Sequence, residues 1–269
     1  MAMEKRDWYD TPLFYDIIFD TDTKKEVDFL EEAFARYARV KRRGGAPRRV
    51  LEPACGSGRL VQEMARRGWL AAGFDAGQAM LDFAKQRCSE LSPMPMLWLD
   101  RMESFRVPIR GRFDLAHCLV STFKYLLTEE DAQGCVSRVA AALKPGGLFV
   151  LGVHLSDYDS ETYDHERWEE RRGGVHVVSN TRVWAPDRQR RIEPVRNRLR
   201  VTQRGETRVQ ETQWDFRTYD AAQLKRTLRL AAPELDVVGC FDFTYDFSEP
   251  RPFDDSYSDV LLILRKEED

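Results

Sequence analysis

The residues best placed to do chemistry lie in one run, Val50-Leu51-Glu52-Pro53-Ala54-Cys55-Gly56-Ser57-Gly58-Arg59-Leu60. Its glycines stand directly after a short apolar segment and directly before a helical pattern. Glycine there permits positive φ and lets backbone come close to a ligand, while the first helical turn offers free N–H groups to a carboxylate or phosphate. Gly73-Phe74-Asp75 ends the next apolar segment, where a carboxylate accepts hydrogen bonds from ribose hydroxyls or caps the helix that follows. Loop and acid together point to a nucleotide-like ligand, the alternative being a glycine turn with a packing role only.

These residues need elements to hold them. From Arg49 to about Val153, short apolar runs (Val50-Leu51, Leu70–Phe74, Met96–Leu99, Phe113–Val120, Leu148–Val153) alternate with helical stretches. Those stretches run through Leu60–Arg67, through Met80, Phe83 and Ala84, and through Ala132, Val136 and Val139. Repeats of this kind imply parallel strands with right-handed crossovers, covered by helices on both faces, with ligands at the carboxyl ends of the strands. Residues 155–216 break the rhythm: Val175–Trp184, Arg190–Thr202 and Thr207–Phe216 read as roughly three antiparallel strands, with turns at Ala185-Pro186-Asp187 and Arg204-Gly205. A helix over Ala221–Leu230 and strands over Leu235–Phe243 and Tyr257–Arg265 complete the sheet. Ahead of all this stand an aromatic cluster, Trp8, Tyr9, Phe14, Tyr15 and Phe19, a helix carrying Val27, Leu30, Phe34 and Tyr37, and a charged connector from Lys41 to Arg49. The expected fold is α/β, a Rossmann-like doubly wound seven-stranded sheet with an antiparallel β insertion after the fifth strand.

Composition fits one such unit. The chain has 269 residues, 42% of them apolar, enough for one sizeable core. No run approaches the ~20 apolar residues that cross a bilayer, and Met1–Asp10 lacks the pattern of a signal peptide, so a cytoplasmic location is expected. The five cysteines are odd in number and widely spaced, which argues against a metal site. A net charge of −3 with mixed signs gives no electrostatic footprint for nucleic acid.

Loop and acid alone fit both nicotinamide dinucleotides and S-adenosylmethionine, but the third glycine of the dinucleotide fingerprint would fall at Val61 and is missing. At this point a resemblance settles the choice. Val50–Leu60 resembles the first motif of class I S-adenosylmethionine-dependent methyltransferases, with Glu52 in its acidic position. Asp75-Ala76-Gly77-Gln78-Ala79-Met80-Leu81 is similar to the second motif, and Leu143-Lys144-Pro145-Gly146-Gly147-Leu148-Phe149-Val150 to the turn that introduces the fifth strand. The resemblance implies S-adenosylmethionine as cofactor and S-adenosylhomocysteine as product. It places Gly56, Ser57 and Gly58 against the methionine part, Asp75 on the ribose, Asp100 and Met102 at the adenine, and Glu52, Ala54, Ala76, Met80 and Leu119 among the other contacts. Gly77 departs from the serine common in the family.

Phe14-Tyr15-Asp16-Ile17-Ile18-Phe19-Asp20 resembles the tyrosine-aspartate segment of small-molecule N-methyltransferases, which folds over the cofactor as a lid. By that likeness residues 1–47 form an N-terminal helical lid, 48–154 and 217–269 the core, and 155–216 an acceptor region with a homodimer contact. Tyr15 is then the aromatic facing the sulfonium, the alternative being that it packs the first helix onto the sheet, and His154 the general base to test, with a strand-capping histidine as its bland alternative. Tyr125, in the segment after the fourth strand and equally readable as a core residue, and Arg217, in Phe216-Arg217-Thr218-Tyr219, are candidates for the acceptor. Arg196, Arg198 and Arg200 alternate, so in a strand they share one face, either a solvated row or a grip for phosphate or carboxylate. No Asx-Pro-Pro-aromatic tetrapeptide follows the fourth strand, which disfavours nucleic-acid amino-methylation. The acceptor expected is a small molecule, an amine or hydroxyl. A cofactor-binding protein without catalysis and an RNA or protein methyltransferase are the rival readings.

Overall fold

The structure is a computed structural model, described over residues 3–41, 44–108, 112–160 and 164–268. Arg42 and Arg43 of the expected connector lie outside the described residues. In chain order the elements are β1 (Met3–Lys5), α1 (Pro12–Phe19), α2 (Thr23–Tyr37), β2 (Arg49–Pro53), α3 (Arg59–Arg66), β3 (Leu70–Asp75), α4 (Gln78–Cys88), β4 (Met96–Leu99) and β5 (Phe113–Cys118). After them come α5 (Glu129–Ala142), β6 (Leu143–His154), β7 (Asp164–Arg172), β8 (Val175–Val183), β9 (Ile192–Gln203), β10 (Glu206–Arg217), α6 (Ala221–Ala231), β11 (Leu235–Phe241) and β12 (Asp259–Lys266).

The main sheet has seven strands in the order β11-β12-β6-β5-β2-β3-β4. Strands β2 to β6 pair in parallel, while β12 runs antiparallel to β6 and β11 antiparallel to β12. One face packs on Val136 and Val139 of α5 and Leu224 and Leu228 of α6. The other packs on Val27, Leu30 and Phe34 of α2, Leu60 and Met64 of α3, and Leu81 of α4. Burial on both faces explains why β5 and β6 read as continuous apolar runs. The chain moves outward from β2 to β3 and β4, then returns to place β5 on the other side of β2. The carboxyl ends of β2 and β5 therefore flank the point where strand order reverses, the usual place for a ligand.

A second sheet, in the order β1-β10-β9-β8-β7, has five strands where roughly three were expected. The strands missed were β1, only three residues long, and β7. The β7 sequence, Asp164-His165-Glu166-Arg167-Trp168-Glu169-Glu170-Arg171-Arg172, has no apolar alternation because it is an edge strand with almost every side chain exposed. Residues 1–47, expected as one lid, divide. Helix α2 belongs to the main core, and only the segment through α1 lies on the second sheet, where Trp8, Phe14, Ile17 and Ile18 pack on Val175, Val177, Leu199 and Val201. No helix among the described residues is long and apolar enough to cross a membrane.

Candidate active site

The glycine loop joins β2 to α3 at the switch point. Ala54, Gly56 and Gly58 all take left-handed conformations, with φ of 53°, 52° and 73°. A loop that alternates this way turns successive N–H groups toward one concavity, a form suited to an anionic or polar ligand group. Gly58 has a second reason to be glycine, since a Cβ there would stand 2.7 Å from the Cβ of Ala84 on α4. Asp75, at the end of β3, accepts hydrogen bonds from the Gly56 and Gly77 N–H groups, each at 2.8 Å. Burial pushes its pKa up, and those N–H groups oppose the shift.

Below the loop, Glu52 is 8% exposed and its Oε2 has no hydrogen-bond partner. Burial pushes its pKa well up, with Arg59 opposing and Glu26 adding to the shift. Glu52 and Arg59 line a small cleft together with Tyr15, Ala54, Gly56, Ser57, Leu119 and Thr122. Arg59 was not foreseen as a site residue. It lies 8% exposed, is held by Glu26 through both guanidinium nitrogens, and donates to Thr23 Oγ1 at 3.2 Å. Sequence offered only its place after the second glycine as a signal.

Tyr15 stands on the loop, its Cε1 3.9 Å from where a Gly56 Cβ would be. From it an aromatic wall runs outward. Tyr15 meets Trp8 edge-on at 5.3 Å between centroids, Trp8 stacks on Trp214 of β10 at 5.0 Å, and Tyr125 lies 4.8 Å from Phe216. The Tyr9 hydroxyl donates to the Tyr125 hydroxyl at 2.7 Å. Burial raises the pKa of Tyr9, Tyr15 and Tyr125, so all three phenols keep their protons at neutral pH. The indole N–H groups of Trp8 and Trp214 have no hydrogen-bond partner. Tyr9, Trp8 and Trp214 were not foreseen as site residues either, because the wall forms from segments some two hundred residues apart.

Other expected residues are placed differently. Met80 is fully buried and anchors α4 instead of facing the cleft, and Ala76 is exposed beside Asp75. Asp100 follows β4 next to Asp75, whose carbonyl accepts its N–H at 3.1 Å, and its carboxylate holds the N–H groups of Arg101 and Arg106. Met102 packs in the core with Phe74 and Phe105. His154 ends β6, where Asp259 pairs with its ring and Phe243 meets it edge-on at 5.0 Å, so it is not part of the cleft wall. Arg196 and Arg198 do share a face, but it is the outer one, since Leu199 and Val201 point toward α1. There Arg198 pairs with Glu211 at 2.6 Å. Arg217 is 7% exposed and ties Leu127 O and Glu129 at 2.8 and 2.7 Å, a structural bond and not a free acceptor contact.

Comparison with known proteins agrees with this geometry. Residues 50–147 match the family model of the methyltransferase domain. The protein YqeM of Bacillus subtilis strain 168, named for an inferred methyltransferase activity, is 31% identical over 115 residues, 43% of this chain and 46% of that one. The ubiquinone biosynthesis O-methyltransferase of Escherichia coli O127:H6 is 31% identical over 109 residues, 40% of this chain and 44% of that one. The chain thus spans less than half the length of the curated relatives it matches. Among solved structures, an S-adenosylmethionine-dependent methyltransferase from Clostridium acetobutylicum ATCC 824 aligns with a TM-score of 0.73 at 17% identity, over 97% of this chain and 99% of that one. The sugar N-methyltransferase KedS8 from Streptoalloteichus sp ATCC 53650 aligns at 0.71 and 16%, over 100% and 95%. Residues 50–147, which hold the glycine loop and Asp75, thus carry the match to the methyltransferase domain, and the chain as a whole shares the fold of the solved methyltransferases.

Proposed function

We propose that the protein transfers a methyl group from S-adenosylmethionine to a small-molecule acceptor, an amine or hydroxyl. The observation that carries this reading is the left-handed loop of Ala54, Gly56 and Gly58, with Asp75 beside it and the Tyr15 ring upon it. The residues present fit the cofactor. The unpaired Glu52 oxygen suits an ammonium group, the concave loop suits the rest of the methionine part, and Asp75 suits ribose hydroxyls. When bound, the cofactor supplies a methyl group on a positively charged sulfur. The protein's own task is then to align and to exclude water. Tyr15 presents a ring face that stabilises the positive charge. The aromatic wall of Trp8, Tyr9, Tyr125, Trp214 and Phe216 closes the acceptor side.

The nearby cations are engaged. Lys124 pairs with Glu193, Arg217 with Glu129, and Arg196 and Arg198 face outward. This supports a neutral or cationic acceptor over a phosphate. An amine delivered neutral needs no base, which suits a site whose cleft lining does not include His154.

Calorimetric titration with S-adenosylmethionine and S-adenosylhomocysteine, with NADH as control, tests the assignment. Both adenosyl ligands are expected to bind and NADH is not, and Asp75→Ala is expected to weaken binding by about a hundredfold, two lost charge-assisted hydrogen bonds. Absence of binding by either adenosyl ligand overturns the reading. Binding without methyl transfer to any acceptor would leave a cofactor-binding protein.

A further inference from the structure

On the far side of the glycine loop from Asp75, a second carboxylate holds it. Asp16 of α1 has no exposed surface, and its Oδ1 accepts the Ser57 hydroxyl at 2.6 Å. Its Oδ2 meets guanidinium groups from two further elements, Arg87 of α4 and Arg172 at the end of β7. One helical turn on, Asp20 pairs with the same arginines, at 3.4 Å to Arg87 and 2.9 Å to Arg172. Residues four apart share a helix face, so each arginine grips two carboxylates of the lid with its two terminal nitrogens. Arg172 reaches this point because Gly173 and Gly174, both left-handed, make a tight turn into β8 that leaves its side chain at the tip of the hairpin.

We infer that Asp16 is the positioning residue of the cofactor loop, and that Arg172 makes closure of the lid depend on the position of the inserted sheet. Asp16 fixes Ser57 and, through its neighbour Tyr15, sets a ring on Gly56. A carboxylate buried this far is stable only while its cations are in place. Arg87 is fixed on α4, whereas Arg172 arrives from the other sheet. Withdrawal of the hairpin removes one of those two cations, and α1 then lifts with Tyr15. The sheet whose inner face meets the acceptor side therefore gates release of the cofactor product.

Arg172→Gln tests this at a side chain that is 40% exposed. Without any ligand, backbone amides of residues 12–20 are expected to exchange hydrogen about tenfold faster than in the wild type, with Arg171→Gln, on the same strand, as the unchanged control. With ligand, which rests on the cofactor reading above, S-adenosylhomocysteine is expected to dissociate about tenfold faster with little change in its association rate. Arg172→Lys is expected to restore part of both effects, and 0.5 M NaCl to narrow the gap between wild type and Arg172→Gln. Unchanged exchange over 12–20 overturns the latch whether or not any cofactor binds. If the ligand fails to bind the wild type, the cofactor reading falls while the exchange measurement still decides the latch. Faster exchange with an unchanged dissociation rate retains the tether and overturns the gating.

Discussion

Glu52 carries an unpaired oxygen into the cleft, and the groups that face it are Arg59 of α3, Glu26 of α2 and Asp75 of β3. Burial raises its pKa, so the empty protein keeps the Glu52 proton at pH values where a free carboxyl has lost it. A cationic ammonium beside it favours the ionised form and expels that proton. Affinity for S-adenosylmethionine is then expected to rise with pH, by at most about tenfold per unit, and to level off above the raised pKa. Calorimetry in buffers of different ionisation heat would register proton release, and Glu52→Gln is expected to abolish it and flatten the pH dependence. A wild-type profile as flat as that of the variant would remove Glu52 from the ammonium. At this scale the sequence was readable where the chemistry is local: Gly56, Gly58 and Asp75 lie within one strand-loop-helix unit and its neighbour. It was silent on Ser57 bonding Asp16 and on Tyr9 bonding Tyr125, because those partners meet only through the packing of α1.

Elements were legible in proportion to their burial. Strand β3 and helix α6 each fall within a residue of their expected stretches, because a buried face imposes a pattern. Strand β7 has no buried face, and so left none. The turn Lys144-Pro145-Gly146-Gly147 was visible too, but it is a bulge inside β6, whose pairing with β5 skips from Phe113 to Leu115 there. Gly146 has φ of 75° and donates structure to the end of α2: its carbonyl accepts the Arg39 N–H at 2.8 Å, and a Cβ would run into the Arg39 backbone. Gly146→Ala therefore meets both a disfavoured conformation and a backbone clash. It is expected to cost about 2–4 kcal/mol, read as a lowered urea midpoint with unchanged slope. Gly68→Ala is the comparison, with φ of 85° but open space around its Cβ, and is expected to cost only about 1 kcal/mol. Equal losses at the two sites would mean that conformation alone matters and that α2 is not pinned at Gly146.

The two sheets are joined by polar contacts as well as by aromatic rings, and sequence gave no sign of which ones. Lys124, in the turn after β5, is 2% exposed and pairs with Glu193 of β9, which is 6% exposed; Ser156 donates to the same carboxylate at 2.9 Å. Burial lowers the Lys124 pKa, and Glu193 opposes that shift. Removing one ion of such a pair leaves the other buried without compensation, at a cost of about 3–5 kcal/mol, whereas replacing both with apolar groups is often neutral. Lys124→Met and Glu193→Leu are therefore each expected to be strongly destabilising in urea denaturation, and the double variant to recover most of the loss. The cycle distinguishes two roles. Recovery of stability together with cofactor affinity would mean that the pair only fills the junction. Recovery of stability without cofactor affinity would mean that the charges fix how the inserted sheet sits over the cleft, since Lys124 also lies 5.4 Å from the Phe216 ring of the aromatic wall. If both single variants cost no more than about 0.5 kcal/mol, as exposed substitutions do, the junction at Lys124 is wet and this pair does not hold the two sheets together.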